Sequence, residues 1–341
     1  MELELGLDTF GDMTNTPDGR AKTHAQVVRD VVEQGVLADA VGLDVFGIGE
    51  HHREDFAISA PEVVLAAIAA RTGRIRLGSA VTVLSSDDPI RVFQRFSTVD
   101  AVSGGRAEVI LGRGSFIESF PLFGYDLADY ERLFTEKLDL FTRLSREREV
   151  SFSGSIHPGL VRQRVFPPVE GGVLKTWIGV GGSPESVVRA AHHGLPMMLA
   201  IIGGAPARFR PFVDLYHRIR EEAGQPRLPI GLHSPGHVAA TDAEARDQFF
   251  DGFRIMHGLV GRTRGWSELR REDFDRECDR GSLYVGSPET VARKIAATVR
   301  ALDVSRFDLK YSGGPVPHEW SMEAIRLYGE KVAPMVRDML A

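Results

Sequence analysis

The segment LDVFGIGEHH, Leu43–His52, joins a short apolar run to a carboxylate and two imidazoles, Glu50, His51 and His52. Such a run is typical of a buried parallel strand, and in sheet and barrel enzymes the chemistry sits at the C-terminal ends of these strands. A histidine at such a strand end can act as a general base or hydrogen-bond a substrate near neutral pH. In the alternative interpretation, the histidines cap the helix that begins near Ala60 and bond to loop carbonyls.

Apolar runs of the same kind recur along the chain and alternate with amphipathic helical patterns. The predicted strands are Glu4–Thr9, Asp44–Gly49, Ile75–Leu84, Ala107–Leu111, Thr176–Val180, Met197–Ile202, Pro229–Ala239 and Arg306–Tyr311. Eight strands in strict alternation with helices favour a (β/α)8 barrel over an open doubly wound sheet. We interpret two longer connections, about 146–175 and 258–285, as insertions before the fifth and eighth strands of a single domain, residues 1–341.

The composition limits the kind of partner that this chain can bind. Of its 341 residues, 43% are hydrophobic, which is enough for a large buried core. The net charge of −6 provides no electrostatic footprint for nucleic acid or for an anionic membrane surface. The longest apolar runs are too short to span a bilayer, and residues 1–10 lack the pattern of a signal peptide. A cytoplasmic enzyme acting on a small molecule is the default expectation.

Metal-ligating residues do not gather in the sequence. The single cysteine, Cys278, excludes an intrachain disulfide and a cysteine-rich zinc site. His233 and His237 are four residues apart, but Pro235 and Gly236 between them prevent a helical metal pair. We predict no metal, although His233 can still line the mouth of the barrel.

Two segments that follow predicted strands could hold a flat or an anionic group. The small residues Gly78, Ser79 and Ala80 inside the third strand leave room for a flat group against the backbone, with tight strand packing as the alternative. The fourth strand ends in Gly112–Arg113–Gly114. A guanidinium there suits forked recognition of a phosphate or carboxylate, with a surface salt bridge as the alternative.

The fifth strand runs into Gly181, Gly182 and Ser183, and Pro184 then opens a helix. Free amides at a helix start and the serine hydroxyl can bind an anion of the size of phosphate, although a plain glycine turn with a cap explains the pattern equally well. The third glycine of a dinucleotide fingerprint is missing. Gly203–Gly204 after the sixth strand repeats the pattern, which predicts a phosphate pocket between strands five and six.

The order of these segments resembles the luciferase-like monooxygenase family, the flavin-dependent relatives of bacterial luciferase. The matching segments are EHH at Glu50–His52, GSAVTVLSSDDPIR at Gly78–Arg91, GRAEVILGRGS at Gly105–Ser115, Phe123–Gly124 and YVGSPETVARKI at Tyr284–Ile295. The resemblance implies a (β/α)8 barrel, usually a homodimer, that holds reduced FMN at its C-terminal mouth.

The resemblance also assigns roles to individual residues. Arg113 matches the arginine that binds the FMN phosphate, and His51 matches the imidazole implicated as catalytic base. A cis peptide bond under the flavin ring is implied at Ala80–Val81. The luciferases carry a reactive cysteine where this chain has Gly112, so we do not predict light emission. The helix start that shares the binding of phosphate corresponds to Gly182, Ser183 and Ser186.

We therefore expect an FMN-dependent monooxygenase that uses O2 and reduced flavin, supplied by a separate flavin reductase, to oxidise a small organic substrate. His51 would move the proton, with Glu50 or His52 setting its tautomer. Three alternatives stay open: an F420-dependent enzyme that transfers hydride, a non-catalytic flavin-binding barrel, and a different barrel enzyme acting on a phosphorylated metabolite. The substrate is not predicted, because residues 113–128, 146–175 and 258–285 shape the pocket without a readable code.

Overall fold

The computed structural model describes residues 3–16, 18–114 and 116–341, and within them eight parallel strands close into a barrel. The strands are β1 Glu4–Thr9, β2 Val45–Ile48, β3 Arg76–Ser79, β4 Ala107–Gly112, β5 Lys175–Val180, β6 Met197–Ala200, β7 Ile230–Val238 and β8 Arg306–Lys310. Each strand pairs with the next in the chain, and β8 pairs back with β1. The predicted (β/α)8 barrel is confirmed.

Helices cover the outside of the barrel. In the described part of the chain the helices of eight residues or more are α1 His24–Ala40, α2 Pro61–Ala69, α3 Pro89–Ser103, α4 Tyr130–Arg146, α5 Pro184–His193, α6 Arg210–Glu222, α7 Asp242–Arg264, α8 Arg271–Arg280, α9 Pro288–Leu302, α10 His318–Leu327 and α11 Ala333–Leu340. Asp88, Ser183 and Ser287 each cap a helix that has proline in its first turn. No helix of the described residues combines the length and the apolar character needed to cross a membrane.

In β8, apolar residues that face the helices alternate with charged residues that face the barrel interior. In β8, Phe307 and Leu309 belong to the main apolar core, whereas Arg306 is buried among carboxylates. The Arg306 guanidinium bonds Asp308, with Nη2 2.7 Å from Oδ2, and it also pairs with Glu108 of β4. A buried ionic cluster therefore joins β4 to β8 across the interior.

The two predicted insertions have regular structure. Residues 146–175 contain an antiparallel hairpin of Val150–Phe152 and Leu160–Gln163. In the second segment α7 continues to Arg264, and α8 and a short strand, Tyr284–Gly286, follow. The charged residues there support helix through pairs such as Arg271–Asp275 on one face. The single-domain organisation of residues 1–341 stays a prediction.

Candidate active site

A cavity of about 420 Å³ opens at the C-terminal ends of the barrel strands. Its volume lies in the range of pockets that bind small molecules and cofactors. The strands that contribute to its walls do so through Asp8 of β1, Gly112 of β4, Gly179 of β5, Met198 of β6, His233 of β7 and Asp308 of β8. The sequence analysis predicted the catalytic and binding residues at this same edge of the barrel.

One wall of the cavity is formed by Ala80 and Val81, whose peptide bond is cis, as the family resemblance implied. The predicted third strand, Ile75–Leu84, is interrupted there and resumes as Thr82–Val83. A Cβ atom at Gly112 would lie 2.5 Å from Val81 Cγ2, so the wall is smooth only because β4 carries no side chain at this point. Gly179 approaches the same side chain from β5, where a Cβ would lie 3.1 Å from Val81 Cγ1.

Ser79, also predicted to contact the cofactor, lies behind this wall. Its hydroxyl donates to the Ile110 carbonyl over 3.0 Å and accepts from the Ile110 amide over 3.1 Å. The side chain is fully buried and is not among the residues that line the cavity. Ser79 thus ties the end of β3 to β4, and its contribution to the site is to position Ala80.

The end of the cavity next to β4 and β5 carries the predicted anion-binding residues Arg113, Gly114, Gly181, Gly182 and Ser183. The Ser183 hydroxyl accepts from the Ser186 amide over 3.3 Å and lies 2.9 Å from the Ser186 hydroxyl. The sequence interpretation of a capped helix start is therefore correct, and the structure brings that start together with Arg113.

Three residues that sequence reasoning missed surround Arg113 at this end of the cavity. The Arg113 guanidinium stacks over the Tyr130 ring, 5.4 Å from its centroid, and pairs with Glu131. The second oxygen of Glu131 accepts from Arg189 Nη2 over 2.7 Å. One carboxylate thus holds two guanidiniums from different elements, Arg113 at the cavity and Arg189 outside the cavity lining.

Gly203 and Gly204 do not join this anion-binding end. The Gly204 amide donates to Glu277 Oε2 over 3.1 Å, and Gly203 lines a neighbouring cavity of about 580 Å³. A carboxylate from α8 thus already takes the Gly204 amide that a phosphate would need. The predicted phosphate pocket between strands five and six stays a prediction, and Arg113 lies at the other cavity, next to β4 and β5.

The Glu50–His51–His52 motif ends β2 as predicted, but its hydrogen bonds differ from the expectation. The buried Glu50 carboxyl accepts from the Val83 amide, and burial raises its pKa to about 8. His52 Nε2 is 3.9 Å from Glu50 Oε2. The group that holds His51 is Glu118, with Oε1 3.3 Å from His51 Nδ1.

Glu118 is therefore the orienting residue, in place of Glu50 or His52. Burial acts to raise the pKa of Glu118, yet bonds from His51 and from the His52 amide keep it below its ordinary value, so the residue is a carboxylate at neutral pH. The His51 ring packs against the rings of Phe10, Phe56 and Phe116 at 5.1, 4.4 and 4.6 Å. Phe10 lines the cavity, and His51 lies behind it.

His233, which the sequence placed at the barrel mouth, lines the cavity directly. Its Nδ1 is 3.0 Å from Oδ2 of Asp8, a residue that sequence reasoning missed. Burial lowers the pKa of His233, but the charge and hydrogen bond of Asp8 outweigh it, so the pKa is raised above its ordinary value. In the described part of the chain, no three histidine, cysteine or carboxylate side chains are grouped as a metal site.

The amino-acid sequence is similar to a known protein family and to a characterised monooxygenase. The family model for luciferase-like monooxygenases matches residues 9–305. The N-acetyl-S-alkylcysteine monooxygenase of Bacillus subtilis (strain 168) is 25% identical over 299 residues, which cover 81% of this chain and 84% of that protein.

Two solved structures with different cofactors share the fold. The FMN complex of the oxygenating constituent of 3,6-diketocamphane monooxygenase from Pseudomonas putida, a type II Baeyer–Villiger monooxygenase, superimposes with a TM-score of 0.80 at 18% identity, covering 98% of this chain and 99% of that one. An F420-dependent secondary alcohol dehydrogenase gives a TM-score of 0.75 at 18% identity over 99% and 100% of the two chains. At these identities the likeness bears on the fold alone.

Proposed function

Because the chain belongs to the luciferase-like monooxygenase family, we propose that this oxidoreductase is an FMN-dependent monooxygenase that uses reduced flavin and O2 to oxidise a small organic molecule. The observation that carries the proposal is the cavity at the barrel mouth, in which Arg113 and the start of α5 form an anion-binding end. A neighbouring wall of small residues suits a flat ring.

The charge at the anion-binding end favours FMN over F420. FMN carries a phosphate monoester, which is close to dianionic at neutral pH, whereas the phosphate of F420 is a singly charged diester. Arg113 provides a guanidinium at the cavity, Arg189 shares the Glu131 carboxylate with it, and the amides at the start of α5 add the positive end of a helix dipole. These positive groups match a dianion better than a monoanion.

The chain's own residues would bind, orient and protect the cofactor, and the flavin would supply the activation of oxygen. Arg113, Arg189 and the Gly182–Ser183 amides would hold the phosphate, while Ala80 and Val81 would support the ring. His51, oriented by Glu118, is our candidate for proton transfer from its position behind Phe10. Reduced flavin from a separate reductase, a homodimeric assembly and a cytoplasmic location complete the proposal.

Mixing the protein with photoreduced FMN in air tests this function. We expect a saturable change in the flavin spectrum and an altered rate of reoxidation, because the cavity shields a bound ring from water. A parallel titration with F420 separates the two cofactors. Absence of FMN binding together with an unchanged reoxidation rate would overturn the proposal, and binding without oxidation of any member of a substrate panel would indicate a non-catalytic flavin carrier.

We expect Glu131 to weaken the binding of the phosphate, because its carboxylate forms ion pairs with Arg113 and Arg189, the two arginines proposed to hold the phosphate. We expect Glu131→Gln to tighten FMN binding about 2- to 5-fold, the range expected when partly exposed ion pairs no longer compete. Equilibrium titration by flavin fluorescence measures the change.

Riboflavin, which lacks the phosphate, is the ligand control and should bind both proteins equally. Asp139→Asn is the matched variant, since it removes the same charge from α4 at a residue paired with Arg143. Equal tightening for FMN and riboflavin would place the effect of Glu131 elsewhere than at the phosphate.

A further inference from the structure

Two histidines flank Phe10, and only one of them faces the cavity. The Phe10 ring lies 5.1 Å from the His51 ring and 6.3 Å from the His233 ring. His233 and Phe10 line the cavity, whereas His51 lies among aromatic rings outside its lining. A molecule bound on the floor of the cavity would therefore contact His233, on β7, before His51, which follows β2.

Asp8 fixes the orientation and the tautomer of His233. A carboxylate can only accept, so the 3.0 Å contact requires that Nδ1 of His233 donates to Asp8 Oδ2. With Nδ1 engaged in this way, Nε2 is the ring nitrogen left for a molecule in the cavity. Asp8 is fully buried and the His233 side chain is 12% exposed, so the pair is rigidly held at the edge of open space.

The charged groups around His233 come from both neighbouring strands. Asp8 of β1 and Asp308 of β8 favour the imidazolium, and Lys310 of β8 opposes it. Lys310 Nζ is itself engaged by Asp12, 3.3 Å away, and by the Ser312 carbonyl. Together these groups raise the pKa of His233 above its ordinary value, with Asp8 as the main favourable charge.

His237 provides an internal comparison on the same strand. Its Nε2 contacts Gln248 Oε1 over 2.8 Å and its ring stacks on Phe249 with centroids 5.6 Å apart. Burial lowers its pKa to about 4, so it is neutral at pH 7. Of these two histidines of β7, only His233 lines the cavity and has a carboxylate partner.

We propose that His233, positioned by Asp8, is a proton-transfer residue that contacts the molecule bound in the cavity. The proton on Nε2 of the imidazolium moves to an oxygen or nitrogen anion of that molecule; the N–H bond breaks, the new bond forms, and neutral imidazole remains. Solvent then returns the proton, and no electrons are gained or lost by the protein. This inference rests on the proposed function only in taking the cavity as the site of the flavin.

Histidine NMR titration of the protein without cofactor tests the pair independently of flavin chemistry. We expect His233 to titrate above its ordinary value near 6.5 and the pKa to fall by about 1 unit or more in Asp8→Asn, because the neutral amide no longer favours the imidazolium. An unchanged titration in Asp8→Asn would overturn the role of Asp8.

The second measurement is the pH profile of reduced FMN affinity and reoxidation in His233→Gln. We expect the inflection assigned to His233 to disappear and the reoxidation rate to fall on the order of 100-fold, the lower range for loss of a general acid. His237→Gln is the matched control and should keep the inflection. Thermal melting curves identify a variant that does not fold, in which case His233→Asn replaces it.

The outcomes separate the two proposals. An inflection that persists in His233→Gln but disappears in His51→Gln would overturn the inference and assign the proton transfer to His51. If neither FMN nor riboflavin binds to any variant, the proposed function fails, whereas the NMR titration still decides whether Asp8 and His233 form a coupled pair.

Discussion

Replacing Arg306 by methionine is expected to lower the free energy of unfolding by roughly 3–5 kcal/mol. The guanidinium is 1% exposed and bonds Asp308 and Glu108 inside the barrel. Arg306→Met leaves these two buried carboxylates without their main cation, which costs far more than the pair itself contributes. Urea unfolding followed by far-UV circular dichroism measures the loss.

Two further variants make this result specific. Arg293→Met removes an exposed guanidinium from α9, and we expect it to change the free energy of unfolding by less than about 0.5 kcal/mol. Combining Arg306→Met with Glu108→Gln and Asp308→Asn should recover part of the loss, because no buried charge is then left unpaired. A loss below about 1 kcal/mol in Arg306→Met would show that the carboxylates are satisfied by other means, such as Lys175 near Glu108.

The second large effect is expected at the anion-binding end of the cavity. Arg113→Met should weaken FMN binding by about 10- to 100-fold, since a hydrogen bond to a charged group contributes about 1.5–3 kcal/mol. Arg113 lines the cavity and is held over the Tyr130 ring, so the guanidinium is already in place when the phosphate arrives. Titration of the flavin by fluorescence gives the affinity directly.

Riboflavin distinguishes loss of the phosphate contact from damage to the whole site. Its affinity should be nearly unchanged in Arg113→Met, and the affinities of wild type for the two flavins should differ in the same direction. Arg132→Met removes a neighbouring guanidinium that pairs with Asp129 outside the cavity and should leave both affinities unchanged. Equal losses of FMN and riboflavin affinity in Arg113→Met would contradict a phosphate-binding role.

The fold was predictable because alternating strands and helices leave a local signal in the sequence. The eight barrel strands lie where the apolar runs predicted them, with the third interrupted at Ala80–Val81. The ionic interior was missed, although Arg306, Asp308 and Lys310 alternate with apolar residues in β8. That alternation was available evidence that one face of the strand carries charge.

The site was predictable only where a residue's position on a strand end decided its role. Arg113 and Gly181–Ser183 meet because β4 and β5 are neighbours, which strand order alone implies. Glu118 was not predictable, since it reaches His51 from the connection after β4, where no periodicity fixes direction. Glu131 reaches Arg113 from the first turn of α4, and that same connection sets where α4 begins. The Asp8–His233 pair required closure of the barrel, which brings β8 beside β1 and β7 beside β8.

The fit of Val81 between Gly112 and Gly179 has a consequence for how this cavity can change over time. The three positions share one small volume, so a side chain gained on β4 or β5 has to be matched by atoms lost from Val81. Substitutions there are coupled, and the order in which they occur matters. In a relative with a larger residue at position 112, we therefore expect a smaller residue at position 81 to have been acquired first. The three positions would then change together and determine the shape of the pocket jointly.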